Sequence, residues 1–350
     1  MNLEIGILST RDDIHAIAVK QKIENRHQAR CHIFPGKELA TQGGLSWSSE
    51  PDAPSVLRNT DGDLIEIGGL HAFWFRRVAT TQILPDAADP AYSDHVHTAS
   101  WTALHGLLLN EFRGRWVSHP TATEVGENKL VQLRAARLTG LRTPITLISQ
   151  DPVRIRSFCA AHPGAIIKPL RSRGELAITA VVSPELLAED AVLALAPSIY
   201  QECIPGDRHL RITMFGDRCH AALIEARQLD WRVDVTVPFH PYCVSPQLHA
   251  ALQEVLRRLG LVMGVFDLKI TPDDEVVFLE VNAQGQFLFV EGLCEMPIAE
   301  SLADYLVEQA RDHVASNPGG TNSVGLSSAT RAPVSRFDRR SGLPGTAAGS

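Results

Sequence analysis

A chain of 350 residues, 44% apolar and with a formal net charge of −7, can bury a large core and divides naturally into two or three subdomains. The mild negative charge and the lack of a large basic cluster exclude a protein held on nucleic acid by phosphate contacts. No apolar run approaches the roughly 18 residues of a membrane span and Met1–Ile5 lacks the basic region of a secretory signal, so no membrane partner and a cytoplasmic location are expected. The cysteines Cys31, Cys159, Cys203, Cys219, Cys243 and Cys294 are scattered without a C-x-x-C pair. They read as reduced thiols, not a disulfide frame or a zinc site.

Residues 3–9, LEIGILS, form a predicted strand. Thr10 is placed to cap a helix with Asp12 and Asp13 in its first turn and Ile14, Ile17 and Ala18 on one face. ARCHIF (29–34) follows as a second strand, so the chain opens β-α-β. No G-x-G-x-x-G follows the first strand and no G-x-x-x-x-G-K-[ST] occurs, which removes the main support for dinucleotide and P-loop readings. Residues 41–63 are loop-like; a strand HAFWFRRV (71–78), a helix from Tyr92 to Phe112 and a strand WVSHP (116–120) close a first domain.

A helix from Val125 to Thr139, stopped at Gly140, opens the next unit. Strands are predicted at AIIKPL (165–170), ELAITAVV (175–182) and SIYQECI (198–204), and a hairpin over 211–226 turns at Gly216–Asp217. Ser245 and Pro246 read as N-cap and first helical residue. The helix they start carries Leu248, Ala251, Leu252, Val255 and Leu256 as its apolar stripe up to Gly260. A final helix spans Ile298 to Val314. From Ala315 the sequence turns to Gly, Ser, Ala, Thr and Pro without periodicity, and residues 315–350 are expected to be a disordered basic tail.

The stretch VFDLKITPDDEVVFLEVN (265–282) reads as two strands joined at Asp273–Asp274. That turn pairs Pro272 with Glu275, Ile270 with Val277 and Asp267 with Glu280. Asp267, Glu280 and Asn282 then share one face. Like charges facing each other across a ladder repel, so something must neutralise them. The all-oxygen set suits a hard cation such as Mg²⁺, with phosphate as its other ligand. Lys269 lies on the same face, and a plain ion pair from it to either carboxylate is the simpler alternative. Lys168, in the apolar strand Ile166–Pro169, and Lys129, opening a helix, are candidate phosphate ligands, although lysines often snorkel from such positions.

The order Lys129, Lys168, Tyr200-Gln201-Glu202-Cys203-Ile204, Arg211, Asp230-Trp231-Arg232, Asp267 and Glu280-x-Asn282 resembles that of the ATP-grasp ligases. The likeness covers residues 1 to 312 and is strongest to the graspetide synthetases, which macrocyclise ribosomal peptides such as microviridins. EVNAQGQFLFVE (280–291) resembles their E-V-N-P-x-G-Q segment, and Trp74-Phe75-Arg76-Arg77 is similar to their W-Y-R-R strand.

The resemblance implies an α/β (α+β) ATP-grasp architecture. Its parts would be an N-terminal pre-ATP-grasp domain (1–120), a central subdomain (121–197) and a C-terminal subdomain with the metal site (198–314). The nucleotide would lie between the last two. It also implies ATP and Mg²⁺ as cofactors and a ribosomally made precursor peptide, leader plus core, as partner; a homodimer is compatible with it.

By the same resemblance Lys129 and Lys168 would hold ATP phosphates, and Gln201, Glu202, Cys203 and Ile204 would form the adenine-binding hinge. Arg211 and Arg232 would stabilise the transferring phosphoryl group, and Asp267, Glu280 and Asn282 would hold the metal. Three departures stand out. RSRGE (171–175) replaces a longer glycine-rich phosphate loop; Ala283 replaces a proline; and His209 stands where many relatives carry an acid, leaving Asp207 as the nearest acidic ribose ligand. The competing readings are a ligase of free amino acids or other small molecules, and an ATP-binding module that has lost its chemistry. The intact Asp267, Glu280, Asn282, Arg211 and Arg232 weigh against the second.

Overall fold

The computed structural model describes residues 2–50, 52–77, 81–86, 88–170, 179–234 and 236–317. Three larger sheets organise them. The first 117 residues contain β1 (Leu3–Ser9), α1 (Ile14–Arg26), β2 (Ala29–Pro35), α2 (Leu39–Gln42), β3 (Val56–Arg58), β4 (Leu64–Glu66), β5 (Ala72–Phe75), α3 (Ser93–Glu111) and β6 (Arg115–Val117). Strands β2-β1-β5-β6 pair in that order, all parallel. Helices cover both faces, which is why β1 and β5 are apolar almost throughout. Ile5, Ile7 and Trp74 pack on one side with Val19 and Ile23, and Leu8, Phe34 and Phe73 on the other with Leu104 and Leu108 of α3.

The next segment contains α4 (Pro120–Gly126), α5 (Lys129–Leu138), β7 (Thr146–Ser149), α6 (Pro152–Ala161), β8 (Ile166–Lys168), β9 (Ala180–Val181), α7 (Pro184–Ala188), α8 (Asp190–Leu195) and β10 (Ser198–Gln201). Its strands form an antiparallel sheet, β7-β10-β8-β9. Tyr200 packs against Ile155 and Leu193.

The remainder is β11 (Arg208–Phe215), β12 (Arg218–Glu225), β13 (Phe239–Pro241), α9 (Pro246–Leu259), β14 (Met263–Ile270), β15 (Val276–Asn282), α10 (Leu288–Cys294) and α11 (Ile298–Ser316). The order β13-β12-β11-β14-β15 is antiparallel. Period-2 alternation sends Leu210, Ile212, Phe266 and Leu268 into a core with α5 and α9, and so places His209, Arg211, Asp267 and Lys269 on the opposite face. Helix α11 returns to the first sheet, where Leu302, Leu306 and Ala310 join its core.

Several local expectations shift. Asp13, not Thr10, caps α1, its carboxylate accepting from the His15 N–H. The expected single helix over 125–139 is two, because Asn128 caps α5 with its side chain and breaks the run after Gly126. Strand β10 ends at Gln201, and its pairing with β7 and β8 puts Ser198–Gln201 in the central sheet rather than at the start of the C-terminal one. The loop 171–175, the first part of the strand expected over 175–182 and the tail beyond Asn317 lie outside the described residues. Ser245 and Gly260 cap α9 as anticipated, Gly260 with φ 69°. Among the described residues no helix is long and apolar enough to cross a membrane.

Gln132 of α5 serves the edge of β15. Its amide donates to the carbonyls of Gly126 and Val281 and accepts from the Val281 N–H, fixing Lys129, one turn earlier, against that strand. Replacement by leucine would leave Val281 unpaired in a dry setting. We expect Gln132→Leu to lower the unfolding free energy by about 1–3 kcal/mol, measured by denaturant titration. A variant as stable as the parent would remove this role.

Candidate active site

The hairpin β14–β15 places its carboxylates opposite each other by a route the sequence does not show. The turn is longer by one residue than expected. Thr271 N–H bonds to the Glu275 carbonyl and Asp274 adopts φ 62°, the left-handed residue of a three-residue connection. Ile270 therefore faces Val276, not Val277. A β-bulge at Leu279 then inserts one residue into β15 and restores the register, so Asp267 does face Glu280.

Each carboxylate has a cationic partner. Arg211, on the neighbouring strand and directly across from Asp267, donates from Nη1 to both of its oxygens at 2.9 and 2.6 Å. Lys129 Nζ reaches Glu280 Oε2 at 2.6 Å. Burial and the facing Glu280 push Asp267 above its ordinary value against the pull of Arg211. Burial acts the same way on Glu280, but Lys129, Lys168 and Arg232 outweigh it and hold Glu280 low. Lys269 forms no ion pair with either carboxylate among the described residues, which removes the simpler reading of the hairpin.

The cavity beside this pair lies between the second and third sheets. Lys129, Lys168, Gln201, Glu202, Ile204, Arg232, Asp267 and Glu280 of the expected set line it, with Ile166 and Leu279 among the apolar walls. Lys168 Nζ donates to Gln201 Oε1 at 2.8 Å, and Gln201 donates on to Thr146. Burial lowers the Lys168 ammonium, offset in part by Glu280. Arg232 is forked onto Asp230, Nε to Oδ1 at 2.8 Å and Nη2 to Oδ2 at 2.6 Å. The Glu202 carboxylate turns from the cavity to the Arg142 guanidinium and the Ile145 N–H, and the Glu202 N–H bonds to the Ile145 carbonyl. Its carbonyl and the groups of Cys203 and Ile204 are what the hinge can offer a base edge.

Asn282, Arg211, Cys203 and Asp207 do not line the cavity. Arg211 reaches it through Asp267. Asn282 lies exposed at the end of β15, Oδ1 accepting from the Gln284 N–H at 3.3 Å. Asp207 offers its carbonyl to Ala226. His209 lines the wall instead, beside its ladder partner Lys269. Its Nε2 is buried without a hydrogen-bond partner among the described residues. The sequence signal for both was available: His209 and Lys269 sit at even spacing from Arg211 and Asp267.

The two facing carboxylates suit Mg²⁺ on chemical grounds, since they leave room for phosphate and water, while Asn282 stands outside the cavity at the end of the same strand. Among the described residues no three His, Cys, Asp or Glu side chains form a metal cage.

Burial and the neighbouring Lys269 bring His209 down to about 4 from 6.5. The unfolded chain then binds a proton that the folded chain refuses, so His209 lowers stability as pH falls below about 6.5. We expect unfolding free energies of His209→Gln to fall less steeply than the parent's from pH 6.5 toward 4, by up to about 1.4 kcal/mol per pH unit. Parallel profiles would contradict a neutral buried imidazole.

No family model matches this sequence, nor does any curated protein. Solved structures do. The macrocyclase MdnC from Microcystis aeruginosa MRC, bound with precursor peptide MdnA, aligns at 26% identity and TM-score 0.80 over 87% of this chain and 100% of that one. A RiPP-associated ATP-grasp ligase from Chryseobacterium gregarium, in complex with ADP and a leader and core peptide, aligns at 22% identity and TM-score 0.79, over 88% and 97%. The ATP-grasp ligase PsnB, complexed with a minimal precursor, aligns at 23% and 0.69 over 88% and 100%. The architecture is the ATP-grasp fold.

Proposed function

We infer that this chain is an ATP-grasp ligase of the graspetide-synthetase type, which uses ATP to close rings in a ribosomally made precursor peptide. The observation that carries the reading is the likeness, over 87% of this chain, to a macrocyclase bound with its precursor peptide. It is joined to a cavity where two facing carboxylates are surrounded by Lys129, Lys168, Arg211 and Arg232.

An oxygen of an Asp or Glu side chain in the peptide attacks the γ-phosphorus of ATP. ADP leaves and an acyl phosphate forms. A Ser or Thr hydroxyl, or a Lys amine, of the same peptide then attacks the acyl carbon, loses its proton and expels inorganic phosphate. The product is an ω-ester or ω-amide. Activation is needed because a carboxylate oxygen is a poor leaving group.

Lys129 and Lys168 bind the phosphates as point charges, exchanging their bonds to Glu280 and Gln201 for phosphate oxygens. Arg232, half exposed at the cavity wall, meets the charge that develops on the transferring group. Arg211 holds both oxygens of Asp267 from its Nη1 and stands behind the same charge. Asp267, Glu280 and Asn282 would hold Mg²⁺, which when bound neutralises the phosphate oxygens. Gln201 and the backbone of Glu202, Cys203 and Ile204 receive the base. His209, in place of Asp207, faces the sugar side with an acceptor nitrogen. An ATP-dependent chemistry and free cysteines suit a cytoplasmic setting.

The test is mass spectrometry of a candidate precursor, rich in repeated Thr or Ser and Asp or Glu, incubated with the chain, ATP and Mg²⁺. Each ring should remove one water. ADP release that depends on free amino acids and not on peptide would favour the small-molecule ligase. Glu280→Gln should abolish turnover while the protein stays folded. Lys168→Ala should mainly raise the KM for ATP and Arg232→Ala mainly lower kcat, and equal effects on both constants would undo that division.

A further inference from the structure

Asp13, His15 and Arg76 take no part in the chemistry above, yet Arg76 and Asp13 bury their charges to side-chain exposures of 0% and 2%. Arg76 donates from Nε to Asp13 Oδ2 at 3.0 Å, and from Nη1 to the carbonyls of Gln284 at 2.9 Å and Gly285 at 3.1 Å. Asp13 also accepts from the Ser9 hydroxyl and the His15 N–H, and its Oδ1 lies 3.4 Å from His15 Nδ1. His15 Nε2 accepts from the N–H groups of Phe287 and Leu288 at 3.0 and 3.2 Å. That nitrogen therefore carries no proton, and the ring proton sits on Nδ1 toward Asp13.

Arg211, itself held by Asp267, takes the remaining carbonyl, Gln286, at 3.0 Å. Each residue from Gln284 to Leu288 thus has a backbone group bound by one of three side chains. Gly285 is also pressed onto β14: an added Cβ would lie 2.4 Å from the Cβ of Val265, the ladder partner of Asn282. This segment begins two residues after Asn282.

We propose that Asp13, His15 and Arg76 are positioning residues, through which the N-terminal domain fixes the segment Gln284–Leu288 and with it the metal-binding end of β15 and Arg211. The proposal rests on the ligase reading and deepens it. A buried ion pair is weak evidence for stability, because desolvation offsets its attraction. What this one supplies is geometry. A guanidinium forked between a carboxylate and two successive carbonyls allows the segment a single place. Groups that orient metal ligands from behind set metal affinity as well as shape.

The test compares Arg76→Lys, His15→Met and His15→Gln in the full chain. Mn²⁺ binding in the presence of ADP is read by electron paramagnetic resonance, ADP binding without metal by calorimetry, and melting on nucleotide-free protein. Arg76→Lys keeps the charge beside Asp13 but loses the fork. His15→Met removes the acceptor, whereas glutamine retains one. Below their melting transitions, Arg76→Lys and His15→Met should bind Mn²⁺ about 10- to 100-fold more weakly, with metal-free ADP binding unchanged and His15→Gln close to the parent. Parent-like Mn²⁺ affinity in the folded variants, whatever their melting temperatures, would overturn the proposal and leave the three residues as structural glue. Should His15→Met not fold, the contrast between Arg76→Lys and His15→Gln decides. A parent chain that binds no Mn²⁺ with ADP present would instead overturn the ligase reading itself.

Discussion

Two carboxylates set directly across a β-ladder repel each other, and much of the site follows from keeping Asp267 and Glu280 there. Each is supplied with its own cation from a different element, Arg211 from β11 and Lys129 from α5. Their proton affinities are driven apart, Asp267 upward and Glu280 downward. The arrangement holds charge in reserve. In the proposed reaction Asp267 and Glu280 would hold the dication and Lys129 would turn from Glu280 to the phosphates, so that one set of charge pairs would replace another and no charge would be left uncompensated.

That exchange requires the cations to be anchored without being trapped. Lys129 opens α5, and Gln132 on the next turn ties that helix to the backbone of Val281. The lysine is thereby aimed at β15 from a fixed base, with Glu280 as its partner. Arg232 is treated similarly: Asp230 caps the short turn it stands on and grips the guanidinium, but nearly half of the side chain remains exposed toward the cavity mouth. Arg211 is the opposite case. It is locked between Asp267 and the Gln286 carbonyl near Trp231 and Phe289, behind the cavity wall.

The alternating strands β11, β14 and β15 were legible because one face had to be apolar, so any charge on the other face was conspicuous. The Asp267–Glu280 pairing was legible for a reason that was only half right. The expected two-residue turn and the real three-residue turn differ by one, and the bulge at Leu279 cancels the difference. Nothing in VVFLEVN marks Leu279 as bulged, since a leucine fits either count. The split between α4 and α5 is hidden in the sequence because apolar residues run across it. Asn128 was the available signal, a cap residue directly before Lys129. Asp13 reads locally as a first-turn acid and His15 carries no local signal, because their partners lie more than 60 and more than 270 positions away. Long-range polar pairing has no local periodicity to betray it.

The same distance explains why the parallel sheet, which does not line the cavity, is tied to it at all. Burial alone would push the Asp13 carboxyl up, but His15, Arg76 and Ser9 outweigh it and keep it ionised. Arg76 pays in the other direction, with burial bringing it down to about 10. Two buried ions so balanced contribute little net stability, and an apolar contact between the domains would have been simpler. Apolar contacts tolerate sliding, however, and the segment after β15 is bound by groups that do not. Five consecutive residues held through their backbones by directional hydrogen bonds leave the segment free to vary in sequence, except at Gly285, where Val265 leaves no room for a side chain. Position at the end of the carboxylate strand is thus set by the first domain's charges, and the chemistry on its neighbours inherits that precision.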